Sequence, residues 1–332
     1  MDPGAWRLAL CLAALAACKG RPVAGEAFAA PDPAPASRPT GIAEPDPFAF
    51  DPELFEKKHK PKRGDWLASF PEPGQTFAQY MAQAPRGLTA KRTVIVLQPI
   101  GPFSRDELEV LGRLAEFTSA YFQLRVRVEK AVSLPDEGNR PRTLGPLAWT
   151  QYHTGKLMGD LLWPKLPQDA VCYLGVTMAD LYPDPSWNFV FGEASFYRRV
   201  GVYSLARYTN RFWGRAETEA SQAGFLRRSW KVLAHETGHM FSIAHCTTNE
   251  CLMNGSNSLD EMDRAPIHLC PECLHKLQWN LKLDVGRHYR EQGAIYARAG
   301  YGDLADWIRR RLARLEAAAS DPGPAPGAVV AR

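Results

Sequence analysis

Read for alternation of apolar and polar residues, the middle of the chain is a series of strands and helices. Thr93-Val94-Ile95-Val96-Leu97 is a β-branched apolar run and predicts a buried strand. Ser104 with Glu107 has capping-box spacing, and Leu108, Leu111, Leu114, Ala115 and Phe122 follow at helical intervals, so a helix comes next. Residues Arg125 to Val132 alternate charged and apolar, as in a half-exposed strand. A helix near Gln151 to Leu162 is expected after that, with strands at Ala170 to Val176, Asn188 to Glu193 and Arg199 to Leu205. Phe225, Trp230, Leu233 and Phe241 then mark a long helix, and Gly286 to Ala299 and Asp303 to Ala317 read as amphipathic helices. This order predicts an α+β fold, a mixed β-sheet packed with helices.

The two ends have another character. Leu8 to Ala17 is a short apolar run behind Arg7, with small residues before Cys18. It predicts a secretion signal over residues 1–18, too short to span a membrane as a mature helix. Leu15-Ala16-Ala17-Cys18 resembles a bacterial lipobox, which implies lipidation of Cys18 and a membrane-anchored protein of the bacterial cell envelope. The alternative is an ordinary cleaved signal in which Cys18 is incidental. Frequent prolines from Pro22 to Pro47 predict an extended Pro/Ala-rich tether over residues 19–60. The basic run Lys57 to Arg63 reads as a solvated face or as a contact with anionic lipid. A globular domain over 61–318 and a disordered tail over 319–332 complete the expected organisation.

Composition narrows the classes. The chain has 332 residues, 45% apolar and 23% charged, which is ordinary for a globular protein. A net charge of +4 gives no argument for nucleic acid. No stretch has the eighteen apolar residues of a spanning helix, which excludes a polytopic membrane protein. Oligomeric state cannot be read from the sequence.

The chemistry lies in His235-Glu236-Thr237-Gly238-His239, which fits H-E-x-x-H. Four residues apart on a helix, His235 and His239 share one face and can reach one metal ion. Glu236 lies beside them and is placed to address a water on that metal as general base. His245, six residues further, can join only if the helix breaks near Ser242. Three imidazoles and water make the open coordination of a catalytic zinc; a structural zinc is closed by four protein ligands. Cys246, Cys251, Cys270 and Cys273 form two pairs with eighteen residues between them. That spacing suits a Cys₄ zinc site, although two disulfides are the rival in an exported chain.

These motifs together resemble the archaemetzincins of the metzincin clan: the three histidines, then Cys246, Cys251, Met253 and Cys270-Pro271-Glu272-Cys273. The resemblance is sharp over 235–273 and weaker at Thr93 to Val132 and Phe189-Val190-Phe191-Gly192. It implies a zinc metallopeptidase with a metzincin-like fold, in which the active-site helix leads into a zinc-stapled C-terminal helical subdomain. It further implies that His235, His239 and His245 bind catalytic zinc, that Glu236 is the base, and that Met253 forms a turn beneath the metal. The four cysteines would hold a second, structural zinc, and the substrate would be a peptide or protein. Ser242 departs from the pattern, which has glycine there to end the helix in the left-handed conformation. A non-catalytic zinc-binding envelope lipoprotein that binds peptides or a protein partner is the alternative reading. Phe189 to Glu193 is either sheet core or an edge strand for an extended substrate. Cys172 is expected in the core, and His268 and His275 at the surface.

Overall fold

The computed structural model describes residues 47–320. The expected signal, Cys18, residues 19–46 of the expected tether and residues 321–332 of the expected tail lie outside the described residues. In chain order the elements are α1 (Trp66–Ser69), α2 (Phe77–Ala82), β1 (Val94–Ile100), α3 (Arg105–Phe122), β2 (Arg125–Val128), β3 (Asn139–Leu144) and β4 (Leu147–His153). A helical stretch from Thr154 to Lys165 comes next, then β5 (Ala170–Thr177), β6 (Asp180–Tyr182), β7 (Gly192–Ala194) and β8 (Val200–Ser204). The C-terminal part is helical: α4 (Glu219–Met240), α5 (Leu259–Arg264), α6 (Pro271–Leu281), α7 (Val285–Arg298) and α8 (Gly302–Ser320).

The expected mixed sheet is present, with strand order β2-β1-β5-β8-β7. Strands β2, β1, β5 and β8 are parallel, and β7 closes one edge antiparallel to β8. β1, β5 and β8 are buried along their whole length, as central strands covered on both faces must be. Ile95 and Leu97 of β1 join a core with Leu114 and Phe117 of α3 and Leu233 of α4, whereas Val94 and Val96 pack with Leu157, Leu162 and Trp187. The Ser104 capping box opens α3 as expected. Cys172 is buried in β5, also as expected.

Several expectations are corrected. Residues Gln151 to His153 are strand, not helix: they end β4, whose antiparallel partner β3 forms a hairpin that periodicity alone did not disclose. Its exposure alternates along β3 and most of β4, so the surface burying it is small and the apolar signal weak. Strand structure in Asn188 to Glu193 is confined to a bridge at Val190 and the start of β7.

The expected tether also ends earlier than residue 60. Leu54 and Phe55 are buried, and Trp307 donates to the Leu54 carbonyl at 3.0 Å. The basic run is largely exposed, as a solvated face is, but it is anchored at its start. Lys58 Nζ pairs with Glu250 Oε2 at 3.1 Å, Lys57 bridges Asn249 across a strand-like contact, and His59 pairs with Glu250. Proline frequency concealed these anchors, because one Leu-Phe pair and a few charges suffice to dock an extended segment. His268 and His275 are not surface residues either. His268 stacks on Trp307 at 3.7 Å, and His275 is sandwiched between Phe48 and Phe77.

Candidate metal centre

Helix α4 opens with a capping box between Thr218 and Ser221 and buries Phe225, Leu226, Trp230 and Leu233 in the core, Trp230 against Phe117 of α3 and Tyr296 of α7. This packing sets the rotation that turns His235, Glu236 and His239 towards the cleft. At its end Ser242 adopts φ +65°, the left-handed conformation expected of glycine. The Ser242 N–H donates to the His239 carbonyl at 2.8 Å and the Ile243 N–H to Gly238 at 3.1 Å. That is the Schellman pattern, and a non-glycine residue in it costs about 1–2 kcal/mol. The strain is offset locally. Ser242 Oγ accepts from the Arg86 N–H at 3.0 Å, and its carbonyl accepts from Gln75 Nε2 at 3.1 Å.

The turn brings His245 back to the helix. Ligand nitrogens of His235, His239 and His245 lie within 4.8 Å of one another, with ring centroids 4.5, 4.9 and 5.4 Å apart. Nδ1 of His235 faces the Leu252 carbonyl at 2.9 Å, Nδ1 of His239 faces the Ile243 carbonyl at 2.7 Å, and Nδ1 of His245 faces the Glu72 carboxylate at 2.9 Å. All three partners are acceptors, so each neutral ring carries its proton on Nδ1 and keeps a lone pair on Nε2. Nε2 of His235 and of His239 are 3.0 Å apart. Two lone pairs that close repel unless they share a cation, and tetrahedral zinc with bonds of about 2.0–2.1 Å sets its ligands about 3.3 Å apart. Burial holds His235 down at about 4 and His239 well below the usual range, so both are neutral near pH 7. The donor set fits zinc.

Glu236 is buried beside them. Burial, then the charge of Glu193, raises its carboxyl to about 8. Burial also raises Glu193, partly offset by a hydrogen bond from Thr154. Glu236 packs on the backbone of edge strand β7: a Cβ on Gly192 would stand 2.8 Å from Glu236 Oε1 and 2.9 Å from Tyr203 Cβ. Beneath the helix Met253 abuts Gly238, where a Cβ would stand 2.7 Å from Met253 Sδ. A cleft of about 710 Å³ opens over the histidines. Its walls come from β7, from the segment between Trp66 and Gln83, and from Met262, Ala265 and Pro266 at the end of α5.

The four cysteines also converge. Cys246, Cys251, Cys270 and Cys273 are buried with free thiols, and their sulfurs lie within 4.8 Å of one another. Cys246 Sγ and Cys270 Sγ are 3.8 Å apart, the separation tetrahedral Zn–S bonds of about 2.3 Å would give. The Cys270 N–H donates to Cys251 Sγ at 3.2 Å, and hydrogen bonds from the other three thiols push the Cys246 thiol down. The free thiols and the sulfur separation favour a shared metal cluster over paired bridges.

Sequence reasoning missed the contributions of Glu72, Gln75, Glu193 and Phe196, whose ring lies 5.2 Å from that of His239. Glu72 sits in Phe70-Pro71-Glu72-Pro73, which has no periodicity to mark it.

Comparison with known proteins gives the family. Peptidase family M54 matches residues 150–279. Archaemetzincin-2 of Mus musculus is 35% identical over 320 residues, covering 81% of this chain and 89% of its own. Archaemetzincin-1 of Homo sapiens is 33% identical over 254 residues, covering 68% of this chain and 51% of its own. The crystal structure of archaemetzincin from Methanopyrus kandleri aligns with 59% of this chain and 99% of its own, with TM-score 0.46 and 29% identity.

Proposed function

Given that the chain belongs to the archaemetzincins of peptidase family M54 and is a zinc metallopeptidase, we propose that His235, His239 and His245 hold its catalytic zinc and that Glu236 is the general base of peptide hydrolysis. The observation that carries this reading is the convergence of three Nε2 lone pairs whose Nδ1 atoms all face acceptors. Zinc in such a site lowers the pKa of a bound water to about 7 and polarises a carbonyl.

The protein's own groups do the rest. Glu236, one residue from His235, takes the proton of the attacking water and returns it to the leaving amine. Burial raises its carboxyl above the ordinary glutamate range, and the positive charge of a bound zinc would draw it back toward the ionised form that can accept a proton. Among the described residues strand β7 pairs on one side only, with β8, which leaves its other edge to an extended peptide running along the cleft. Glu236 and the edge backbone at Gly192 are in contact, which sets the scissile bond of a peptide bound there beside the base.

The cysteine cluster holds a second, structural zinc in this reading, and the 3.8 Å sulfur separation supports it. The N-terminal signal and lipobox-like Cys18 place the enzyme at the bacterial envelope on a lipid anchor, a proposal that rests on sequence alone. Metal analysis and a Glu236→Gln variant test the core of the reading together. Two zincs per chain and a variant that keeps its zinc but stops cleaving a peptide mixture are expected. A wild-type protein without zinc, or a variant with undiminished turnover, would refute it.

A further inference from the structure

The three histidines are held in unequal ways. His235 and His239 belong to α4 and turn Nδ1 to carbonyls of nearby chain. His245 sits on a loop behind the strained turn at Ser242, and its Nδ1 faces a carboxylate 173 residues away. That carboxylate belongs to a strap formed by residues 65–86, ahead of the first strand and outside the stretch that matches the peptidase family.

Much of the third-histidine loop is tied to this strap. Tyr80 Oη donates to the Phe241 carbonyl at 2.8 Å, and Gln75 Oε1 accepts from the Ala244 N–H at 3.1 Å. Gln75 Nε2 and the Arg86 N–H hold the two oxygens of Ser242. Glu72 reaches His245 with both oxygens, at 2.9 and 3.1 Å, and is itself aimed by Trp66 Nε1 at 3.0 Å. The edge of the Trp66 rings lies against the His245 ring, 5.1 Å between centroids, and the Trp66 N–H is fixed by Glu261.

Resting on the zinc assignment above, the geometry points to Glu72 as the positioning residue of the third ligand: it fixes the His245 ring and its Nδ1–H tautomer so that Nε2 faces the metal. A carboxylate behind a metal-bound imidazole orients the ring and raises its basicity, and loss of such a partner weakens metal binding about 10–100-fold. The acceptors behind His235 and His239 are main-chain carbonyls, of Leu252 and of Ile243 in the third-histidine loop itself. Of the three ligands, His245 alone turns Nδ1 to a side chain, and the strap supplies it. The bland alternative makes Glu72 a packing residue that only secures the strap.

The test uses the full chain loaded with zinc. Release of metal to a competing chelator is followed separately for the histidine and cysteine sites in wild type, Glu72→Ala and Glu72→Gln. Ring nitrogen-15 shifts of His245 are recorded in the chelated proteins and assigned by their loss in His245→Asn. In Glu72→Ala the histidine site should lose zinc at about 10–100-fold lower chelator, with the cysteine site unchanged. Its His245 should become a mixture of tautomers, while Glu72→Gln, whose amide oxygen still accepts from Nδ1–H, stays closer to wild type. Wild-type affinity in Glu72→Ala, or parallel loss from both sites in both variants, overturns the inference. A wild-type protein that binds no zinc at the histidines would instead overturn the functional reading beneath it.

Discussion

The Leu252 carbonyl lies 2.9 Å from His235 Nδ1, and Leu252 is held between Cys251 in the sulfur cluster and Met253 under the active-site helix. On the other side of the cluster, Cys246 directly follows His245. The cysteine site therefore braces two of the three histidines through single peptide links.

Cys251→Ser should consequently disturb both sites. Removing one ligand of a buried metal cluster is expected to cost at least about 3 kcal/mol, or roughly 6–12 °C in the thermal midpoint of a domain this size. Elemental analysis should show zinc falling from two per chain to below one. A variant that loses only one zinc and keeps full peptidase activity would separate the two centres.

Glu236→Gln keeps the size of the side chain and removes its basicity. Turnover should fall by about 10²–10⁴, the usual share of a general base, at unchanged zinc content. Steady-state kinetics on a cleaved peptide, with zinc measured in parallel, decides it.

The same carboxyl predicts a pH effect on the chelated protein. Its folded value, about 8, stands above the ordinary glutamate value of 4.5, so the folded state binds the extra proton between these limits. The contribution to stability is full below about pH 4.5 and is lost as pH rises through 8. The slope is at most about 1.4 kcal/mol per pH unit. Urea unfolding across this window should show the decline in the wild-type chelated protein and a shallower one in Glu236→Gln. Equal slopes would contradict the buried, proton-binding state of Glu236.

Ser242 permits a comparison of strain with hydrogen bonding. Ser242→Ala keeps φ +65° and loses the bond from the Arg86 N–H, so it should be destabilised by about 1 kcal/mol. Ser242→Gly loses the same bond but relieves about 1 kcal/mol of strain, and should unfold close to wild type. Denaturant midpoints that rank the alanine variant above the glycine variant would rule out this account.

Gly238→Ala should be costly despite the good helix propensity of alanine. Its methyl would meet Met253 Sδ at 2.7 Å under the metal site, and overpacking of this kind costs about 1–3 kcal/mol. Thermal unfolding and zinc affinity should both fall. Met253→Ala in the same chain should recover part of the zinc affinity.

Much of the catalytic constellation could be read without coordinates. His235, Glu236 and His239 are local in sequence, and a helix converts a spacing of four into one shared face. A helix break near Ser242 is needed to return His245 to that face, and only the structure decides that it is made in the left-handed conformation, at φ +65°. The core strands β1 and β5 were legible because complete burial leaves an unbroken apolar run. The β3–β4 hairpin was not, since half its residues face solvent and the others bury little surface.

The strap illustrates the remainder. Nothing around Glu72 or Gln75 distinguishes them from other polar residues of a proline-rich stretch, and their partners His245 and Ala244 lie about 170 residues away. Contacts at that separation depend on how α4, the 241–246 loop and the chain start pack together, and no local periodicity encodes that. Short-range geometry thus specified the proposed ligands and the proposed base. The packing of distant segments specified how they are braced, because a hydrogen bond between remote residues exists only once the backbone carrying both has folded.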